Sequence, residues 1–344
     1  MSDIAWKDAW TGGQYSLLRV LVGSTVTLAL LLASWSDGSF QAFPASLAIG
    51  ALAITLGLGG WPVALGLAFL VAAVDLPILS WKTVQLATLW LGLHVALPAA
   101  PYGSLSARGR EDPDGGWAMR WWYPAVWQVL FVCTRLATAA AWMADGNNVL
   151  AGVFVFLSVL GMMRGAALAA WALSFGLELV LAASGYEHFG AVFLFHLLVF
   201  QPAWMPRHIV ATPATLFYDG SCALCHTCVR FLMAEDREPP LFRVAPLNGP
   251  TFEERVPERI RVHRPDSIVV VRGDEVLMRA GAVIAILEPL GGLWSLAAGA
   301  LQLLPRPLAD ALYNIVASRR YQWFGRKTEA CPLLPPEIRR RFDP

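Results

Sequence analysis

A long run without charge is the feature that most limits how this chain can fold. Between Asp37 and Asp75 lie 37 residues without Asp, Glu, Lys or Arg. As a single helix the run would be about 55 Å long, whereas the hydrocarbon core of a bilayer is about 30 Å thick. We therefore expect the run to fold back once, at the turn sequence Gly57-Leu-Gly-Gly-Trp-Pro62.

Other apolar segments extend this pattern through the first 208 residues. The first covers residues 20–36, and its length and lack of a small-residue cleavage site favour a membrane helix over a cleaved signal peptide. Five more candidate helices follow the folded pair, at residues 83–99, 123–143, 149–163, 166–183 and 189–204. The sequence thus predicts an all-α polytopic membrane bundle of about eight transmembrane helices.

Positive charges predict how this bundle is oriented. If the N-terminus is cytoplasmic, the outer connections carry only Lys82. The inner ends and connections then carry Lys7, Arg108, Arg110, Arg120, Arg164 and Arg207. The positive-inside rule therefore places both termini inside. We expect a multi-pass protein of a bacterial inner membrane with a cytoplasmic C-terminal domain.

Ionisable groups inside the predicted spans have two interpretations. Asp75, Arg135 and Glu178 lie there, with His94 and His196 nearby. Because charge in lipid is costly, these side chains should face the bundle interior or a cavity. They indicate either a polar site or proton path, or a structural pair such as Arg135 with Glu178, and we favour the pair.

Charge density more than doubles after residue 208. Residues 1–208 contain 9 Lys+Arg and 10 Asp+Glu, whereas residues 209–344 contain 17 and 15. This contrast predicts a transmembrane domain over 1–208 and a soluble domain over 209–344. The net charge of +1, without a basic tract interleaved with aromatic residues, gives no indication of nucleic-acid binding.

The soluble part opens on a strand, a turn and a cysteine-bearing helix. Residues 216–218 form an apolar strand, Asp219-Gly220 breaks it, and Ser221 is the expected N-cap of a helix. Cys222 then lies at a helix N-terminus, where the first N–H groups favour an anion, so its thiol should ionise more readily than a free one. Cys225 follows one turn later. This Cys-x-x-Cys predicts a nucleophile at Cys222 and a resolving thiol at Cys225.

Asp219 and the two cysteines also resemble a known family. Asp219-x-x-Cys222-x-x-Cys225 is similar to the signature of the DCC family of thiol-disulfide oxidoreductases. Later segments match that family's landmarks in order, namely Arg230-Phe-Leu, Ala245-Pro-Leu, Asp266-Ser, Tyr313-Asn-Ile-Val-Ala and Arg320-Tyr-Gln-Trp-Phe-Gly325. The resemblance covers about residues 215–342 and implies an α/β thioredoxin-like domain with a redox function.

The N-terminal part resembles a second group of proteins. Gly12-Gly-Gln-Tyr-Ser-Leu-Leu-Arg19 and the exit at residues 197–206 are similar to the membrane domain shared by bacterial HTTM proteins and vitamin K-dependent carboxylase. That domain occurs fused to DCC-type domains. The segment has only two lysines, Lys7 and Lys82, which offers little for carboxylation by an amine base. We do not transfer that activity.

Element order in the soluble part agrees with a thioredoxin-like fold. Further strands are predicted at residues 241–245, 267–272 and 275–279, with a Gly273-Asp274 turn and a helix over 282–288. Thioredoxins place a cis-proline directly before the third strand, whereas here Pro265 lies two residues early and Ser267 takes its place. An apolar stripe of Leu308, Leu312, Ile315 and Val316 predicts a helix ending at Arg319-Arg320. We expect this stripe to close the core rather than to contact a membrane surface.

The cysteines leave alternatives open. Cys222, Cys225, Cys228 and a distant Cys331 would suit an iron-sulfur site that passes electrons to the membrane part, or a zinc site. Cys225-His226 also completes a haem-attachment pattern, although His226 is expected either to lie on the helix surface or to tune the thiolate. A domain without redox activity is a further alternative. The favoured reading requires no dissociable cofactor and takes a thiol or disulfide, on a protein or a small molecule, as substrate. In it Asp219 either assists proton transfer or shapes the turn.

Overall fold

The N-terminal half of the protein is helical. A computed structural model describes residues 9–35, 40–58, 60–73, 81–163, 165–186, 188–210, 212–262, 267–326 and 335–344. An α-helix lies at each of the eight predicted positions. These helices are α1 (Gly12–Ala33), α2 (Ala42–Leu56), α3 (Gly60–Ala73), α4 (Trp81–Val95), α5 (Trp122–Ala144), α6 (Asn148–Met162), α7 (Ala167–Ala183) and α8 (Phe189–Val199).

Only part of the predicted membrane bundle meets the length needed to span a bilayer. In the described residues, α1 and α5 are long and apolar enough to cross a membrane, judged by length and composition. The other six have 11 to 17 residues, which as helices extend about 16 to 26 Å. The bundle of eight spans therefore stays a prediction.

The predicted turn in the charge-free run is present. Helix α2 ends at Leu56 and is capped by Gly57, whose φ of 73° lies in the left-handed region that glycine adopts without a Cβ clash, and α3 begins at Gly60. Asp37 and Asp75, which bound the run, lie outside the described residues. Helix α1 begins at Gly12, well before the predicted residue 20, and α8 ends at Val199 rather than at residue 204.

Arg135 and Glu178 form the expected pair. Arg135 donates to the Glu178 carboxylate, and both side chains are buried. The guanidinium also lies over the rings of Phe131 and Phe195, at 5.4 and 4.8 Å from their centroids. A buried charge is tolerated only when it is paired and hydrogen-bonded, so this pair explains both residues. Since the pair also lines a cavity of about 580 Å³, a polar site stays open as a prediction.

The molecule divides into two compact units. One contains most of the described residues before Met205, and we call it the N-terminal unit. The other, the C-terminal unit, contains residues 205–344 with two short pieces, 11–14 and 109–116. The predicted boundary after residue 208 stays a prediction.

A mixed four-stranded sheet forms the centre of the C-terminal unit. The strands are β1 (Ala214–Tyr218), β2 (Phe242–Pro246), β3 (Val269–Arg272) and β4 (Glu275–Met278). Their order is β2-β1-β3-β4, with β1 parallel to β2 and antiparallel to β3, and β3 antiparallel to β4. Every residue of β1 is buried, as expected for a central strand covered on both faces.

In the described residues of the C-terminal unit, seven helices accompany the sheet. They are α9 (Ala223–Glu235), α10 (Pro250–Arg255), α11 (Glu258–Arg261), α12 (Arg279–Leu290), α13 (Gly292–Gln302), α14 (Arg306–Phe324) and α15 (Pro336–Arg339). Alternation along β1 separates two cores. Leu216 and Tyr218 pack with α9 and α12 residues on one face, and Phe217 packs against Phe252 and Val269 on the other.

The apolar stripe on α14 does not close the core, which corrects our expectation. Leu308, Leu312, Ile315 and Val316 are 40 to 49% exposed, whereas Ala309 and Arg320 are the buried residues of this helix. The helix also continues past Arg320 to Phe324. Periodicity correctly identified an apolar face, but periodicity alone does not show whether another element covers that face.

Candidate functional site

The turn between β1 and α9 is held by the Asp219 carboxylate. Its Oδ1 accepts the Ser221 N–H at 2.9 Å and the Ser221 hydroxyl at 2.8 Å. Its Oδ2 accepts from Arg320 Nη2 at 3.1 Å and from the Tyr321 hydroxyl. Burial by itself would raise the pKa of Asp219, but the hydrogen bonds from Tyr321, Ser221 and Arg320 lower it to about 2. Asp219 is therefore ionised at neutral pH.

Cys222, not Ser221, caps helix α9. The sequence placed the cap at Ser221, one residue early. In the structure the N–H and hydroxyl of Ser221 both donate to Asp219, so this hydroxyl is engaged in the turn rather than at the start of the helix. The Cys222 Sγ accepts the Cys225 N–H at 3.3 Å, so the sulfur satisfies one of the donors that a helix N-terminus leaves open. A sulfur in this position, at the positive end of the helix dipole, is well placed to carry negative charge.

Cys225 lies one turn along the helix and beside Cys222. It is buried and retains 7% of its exposure. Burial first, and then a hydrogen bond with the Cys222 side chain, raise the pKa of Cys225 well above its ordinary value. The pair thus combines a helix-capping sulfur with a neighbouring thiol that holds its proton, and all four described cysteines are free thiols.

A short C-terminal segment covers Cys222. Residue Arg326 forms an antiparallel bridge with Cys222, and the Gly325 carbonyl accepts the Ala223 N–H at 3.4 Å. The Arg326 guanidinium stacks on the Tyr321 ring at 4.5 Å from its centroid. Cys222 has no exposed surface, and it also belongs to the apolar core on this face of the sheet. We call Gly325 and Arg326 the covering segment.

His226 is buried, in contrast to the predicted surface position. It is 4% exposed and its Nε2 lies 2.7 Å from the Gly220 carbonyl oxygen, which requires a proton on that nitrogen. Its ring also packs edge-on against Tyr218. The side chain therefore ties the first turns of α9 back to the loop that precedes it.

Three functional candidates were not assigned by the sequence. Arg320 and Tyr321 hold Asp219, and the Tyr313 hydroxyl accepts the Ile268 N–H at 3.0 Å ahead of β3. All three lie on α14, about a hundred residues after the cysteines. The family landmarks that contain them were the available signal, but local sequence shows no contact between distant elements.

The metal alternative depends on a residue beyond the described part. Within the residues that the structure describes, no three His, Cys, Asp or Glu side chains group closely enough to hold a metal ion. Cys331 lies outside those residues, as does Pro265. Ser267, which was expected opposite the cysteines, lies on the wall of the same cavity as Cys225.

Comparisons with known proteins match the C-terminal unit. The model of the family "DCC1-like thiol-disulfide oxidoreductase" matches residues 216–326. The relative named "Uncharacterized protein YuxK", from Bacillus subtilis (strain 168), is 32% identical over 130 residues, or 38% of this chain and 93% of the relative. The DCC family protein At1g52590, chloroplastic, from Arabidopsis thaliana, is 30% identical over 124 residues, or 34% of this chain and 68% of the relative. No solved structure matches the chain significantly. These matches leave the HTTM-like resemblance of the N-terminal unit a prediction.

Proposed function

The chain belongs to the DCC family of thiol-disulfide oxidoreductases, and we propose that its C-terminal unit exchanges disulfides through Cys222 and Cys225 while its N-terminal helices anchor it in a membrane. The observation that carries the proposal is the capping of α9 by the Cys222 sulfur with the Cys225 thiol beside it. The strand order β2-β1-β3-β4 further supports a thioredoxin-like domain. The apolar helices α1 and α5 support the anchor.

The exchange follows from the two sulfur environments. Cys222 as thiolate attacks one sulfur of a substrate disulfide, the substrate S–S bond breaks, and the departing sulfur takes up a proton. Cys225 then loses its proton and attacks the Cys222 sulfur, which releases the second substrate thiol. The substrate has gained two electrons, and the protein holds a Cys222–Cys225 disulfide. A thiol donor restores the dithiol.

Asp219 acts in this scheme as a positioning residue. Its oxygens are occupied by donors from Ser221, Arg320 and Tyr321, and its pKa of about 2 leaves it without a proton to give at neutral pH. We propose that it fixes the turn that presents Cys222, rather than transferring protons.

Trapping of a mixed disulfide tests the roles of the two cysteines. Cys225→Ser leaves Cys222 without its resolving partner, so we expect a long-lived adduct with a disulfide reagent, mapped to Cys222 by mass spectrometry. Cys222→Ser is the matched control and should form no lasting adduct at Cys225. An adduct that accumulates at Cys225 in Cys222→Ser, with none at Cys222 in Cys225→Ser, would reverse the assignment.

The metal-binding alternative is tested on the same preparation. Iron or zinc that copurifies in proportion to protein, and is lost in Cys228→Ser, would favour a metal centre over the dithiol.

A further inference from the structure

A cavity of about 370 Å³ in the C-terminal unit adjoins Cys225, whereas Cys222 is not part of its described lining. Cys225 and Cys228 are part of its wall, together with Ser267 and Ile268 ahead of β3. Most of the remaining wall comes from apolar side chains on α9, α12, α13 and α14, among them Leu224, Val283, Leu301 and Val316. Its volume lies in the range that holds small-molecule ligands, roughly 300 to 1,000 Å³.

The cavity wall carries little charge for a ligand to meet. In the part of the wall that the structure describes, the charged residues are Asp219 and Arg320, and these two are paired at 3.1 Å. A ligand with carboxylate or ammonium groups would lose its hydration on entering a cavity whose two charges are already paired with each other. That transfer is unfavourable. An uncharged apolar ligand gains from the same transfer.

Cys228 presents its thiol to this cavity. It is an exposed residue, yet surrounding protein raises the pKa of its thiol to about 11, so the group is neutral at physiological pH. Tyr313, which also lines the cavity, has its hydroxyl engaged by the Ile268 N–H. The polar groups on this wall therefore add no charge.

The surroundings of the cavity are apolar as well. Leu312 and Val316 line it and are also 49% and 40% exposed, so they connect the cavity to the outer face of α14. Leu308 and Ile315 continue that exposed apolar face. Meanwhile Cys222 has no exposed surface and Cys225 has 7%, so neither thiol of the couple lies on the outside for a disulfide on a folded protein.

We propose that this cavity binds the apolar part of an uncharged disulfide of low molecular mass, which the Cys222–Cys225 couple then reduces. The inference rests on the proposed function and names its substrate class. It excludes glutathione disulfide as the preferred substrate, because that molecule carries both carboxylate and ammonium groups. The exchange is the one described above, and the cavity determines which disulfide reaches the couple.

Rates with two simple disulfides test this specificity. The reduced full-length protein in detergent is oxidised with di-n-butyl disulfide, which is neutral and apolar, or with dithiodipropionate, which carries carboxylates. We expect kcat/KM to be at least tenfold higher for the neutral disulfide. Equal rates, or a preference for dithiodipropionate, would overturn the proposal.

A pair of neighbouring substitutions distinguishes binding of the disulfide in the cavity from partitioning of the disulfide into the detergent. Val316→Phe fills the cavity and should lower kcat/KM for the butyl disulfide at least fivefold, with less than a twofold change for dithiodipropionate. Ile315→Phe adds the same ring to the next residue of α14, outside the cavity lining, and should change neither rate. Equal effects of the two variants would contradict the cavity site.

A binding measurement shows whether a negative result refutes the cavity as a ligand site or the proposed redox couple. In Cys222→Ser/Cys225→Ser, which cannot exchange disulfides, alkylation of Cys228 by N-ethylmaleimide is followed by mass spectrometry. Di-n-butyl sulfide, which cannot be reduced, should slow it at least threefold, and thiodipropionate should not. Absence of protection overturns the cavity site. Protection in a protein whose wild type forms no Cys222–Cys225 disulfide would retain the cavity and refute the proposed function.

Discussion

The position of Asp219 in the sequence suggests one role, and its hydrogen bonds suggest another. An acidic side chain three residues before the proposed nucleophile suggests a proton carrier, whereas its four hydrogen bonds favour the structural role that we propose. A carboxylate that accepts several hydrogen bonds is a weak base, as its lowered pKa shows. The distinction can be measured.

We expect Asp219→Asn to separate stability from proton transfer. Because the pKa of Asp219 is lowered to about 2, the ionised carboxylate contributes stability that is complete above its ordinary pKa and is lost as the pH falls toward 2. Thermal unfolding should show Asp219→Asn destabilised by a constant amount from pH 7 to 5. Between pH 4 and 2 the gap to wild type should narrow.

The exchange rate provides the opposing test for Asp219. If the residue only positions the turn, Asp219→Asn keeps the shape of the pH–rate profile for thiol–disulfide exchange and loses less than about tenfold in rate. General acid–base catalysis is worth roughly a hundredfold or more. Loss of a limb of the profile, with unfolding temperatures unchanged, would restore the proton-transfer role.

Among the elements of the C-terminal unit, we expect the covering segment to control access to Cys222. Gly325 has φ 80° and ψ −177°, a conformation that is essentially restricted to glycine. Its carbonyl and the Arg326 bridge hold the segment over the start of α9. Attack by Cys222 on a substrate therefore requires this segment to move aside.

We expect Gly325→Ala to speed alkylation of Cys222. Alanine is strained in this backbone conformation, so the covering segment should detach from the start of α9 more often. Iodoacetamide should then label Cys222 several-fold faster. Gly273→Ala is the matched control, because Gly273 also has a positive φ of 58° but lies in the turn between β3 and β4. Equal labelling of wild type, Gly325→Ala and Gly273→Ala would show that the covering segment does not protect Cys222.

Local elements were predictable where the pattern is local. The strand–turn–helix of β1 and α9 follows from an apolar run, Asp219-Gly220 and a helical period, and the sequence placed Cys222 at the helix start. Arg320, Tyr321 and the covering segment could not be predicted, since they reach the cysteines through the fold of a distant helix. The predicted burial of the α14 stripe and the predicted exposure of His226 were wrong for a related reason. Burial depends on which elements pack together, and a local pattern does not show this.

At the scale of the whole molecule, the prediction is a membrane protein with a cytoplasmic redox unit. Among the described residues, helices α1 and α5 are long and apolar enough to span a membrane, whereas the six shorter helices of the N-terminal unit do not reach that length. We expect the full chain to remain with membranes after alkaline carbonate extraction. A membrane-impermeant maleimide applied to intact bacterial cells should not label His208→Cys, because the positive-inside rule places the end of the bundle that precedes the soluble domain inside.

Two results would contradict that arrangement. Release of the chain by carbonate would remove the membrane anchor, and labelling of His208→Cys in intact cells would place the redox unit on the outside. Labelling after the cells are permeabilised is the positive control, since it shows that the introduced thiol can react.

The proposed Cys222–Cys225 couple is tested by a redox titration of the metal-free, full-length protein across glutathione potentials, with every cysteine mapped by mass spectrometry. We predict one reversible disulfide between Cys222 and Cys225, with a single midpoint, and its complete loss in Cys222→Ser. A wild-type protein in which Cys222 and Cys225 stay unlinked at every potential, or pair only with other cysteines, would contradict the central claim.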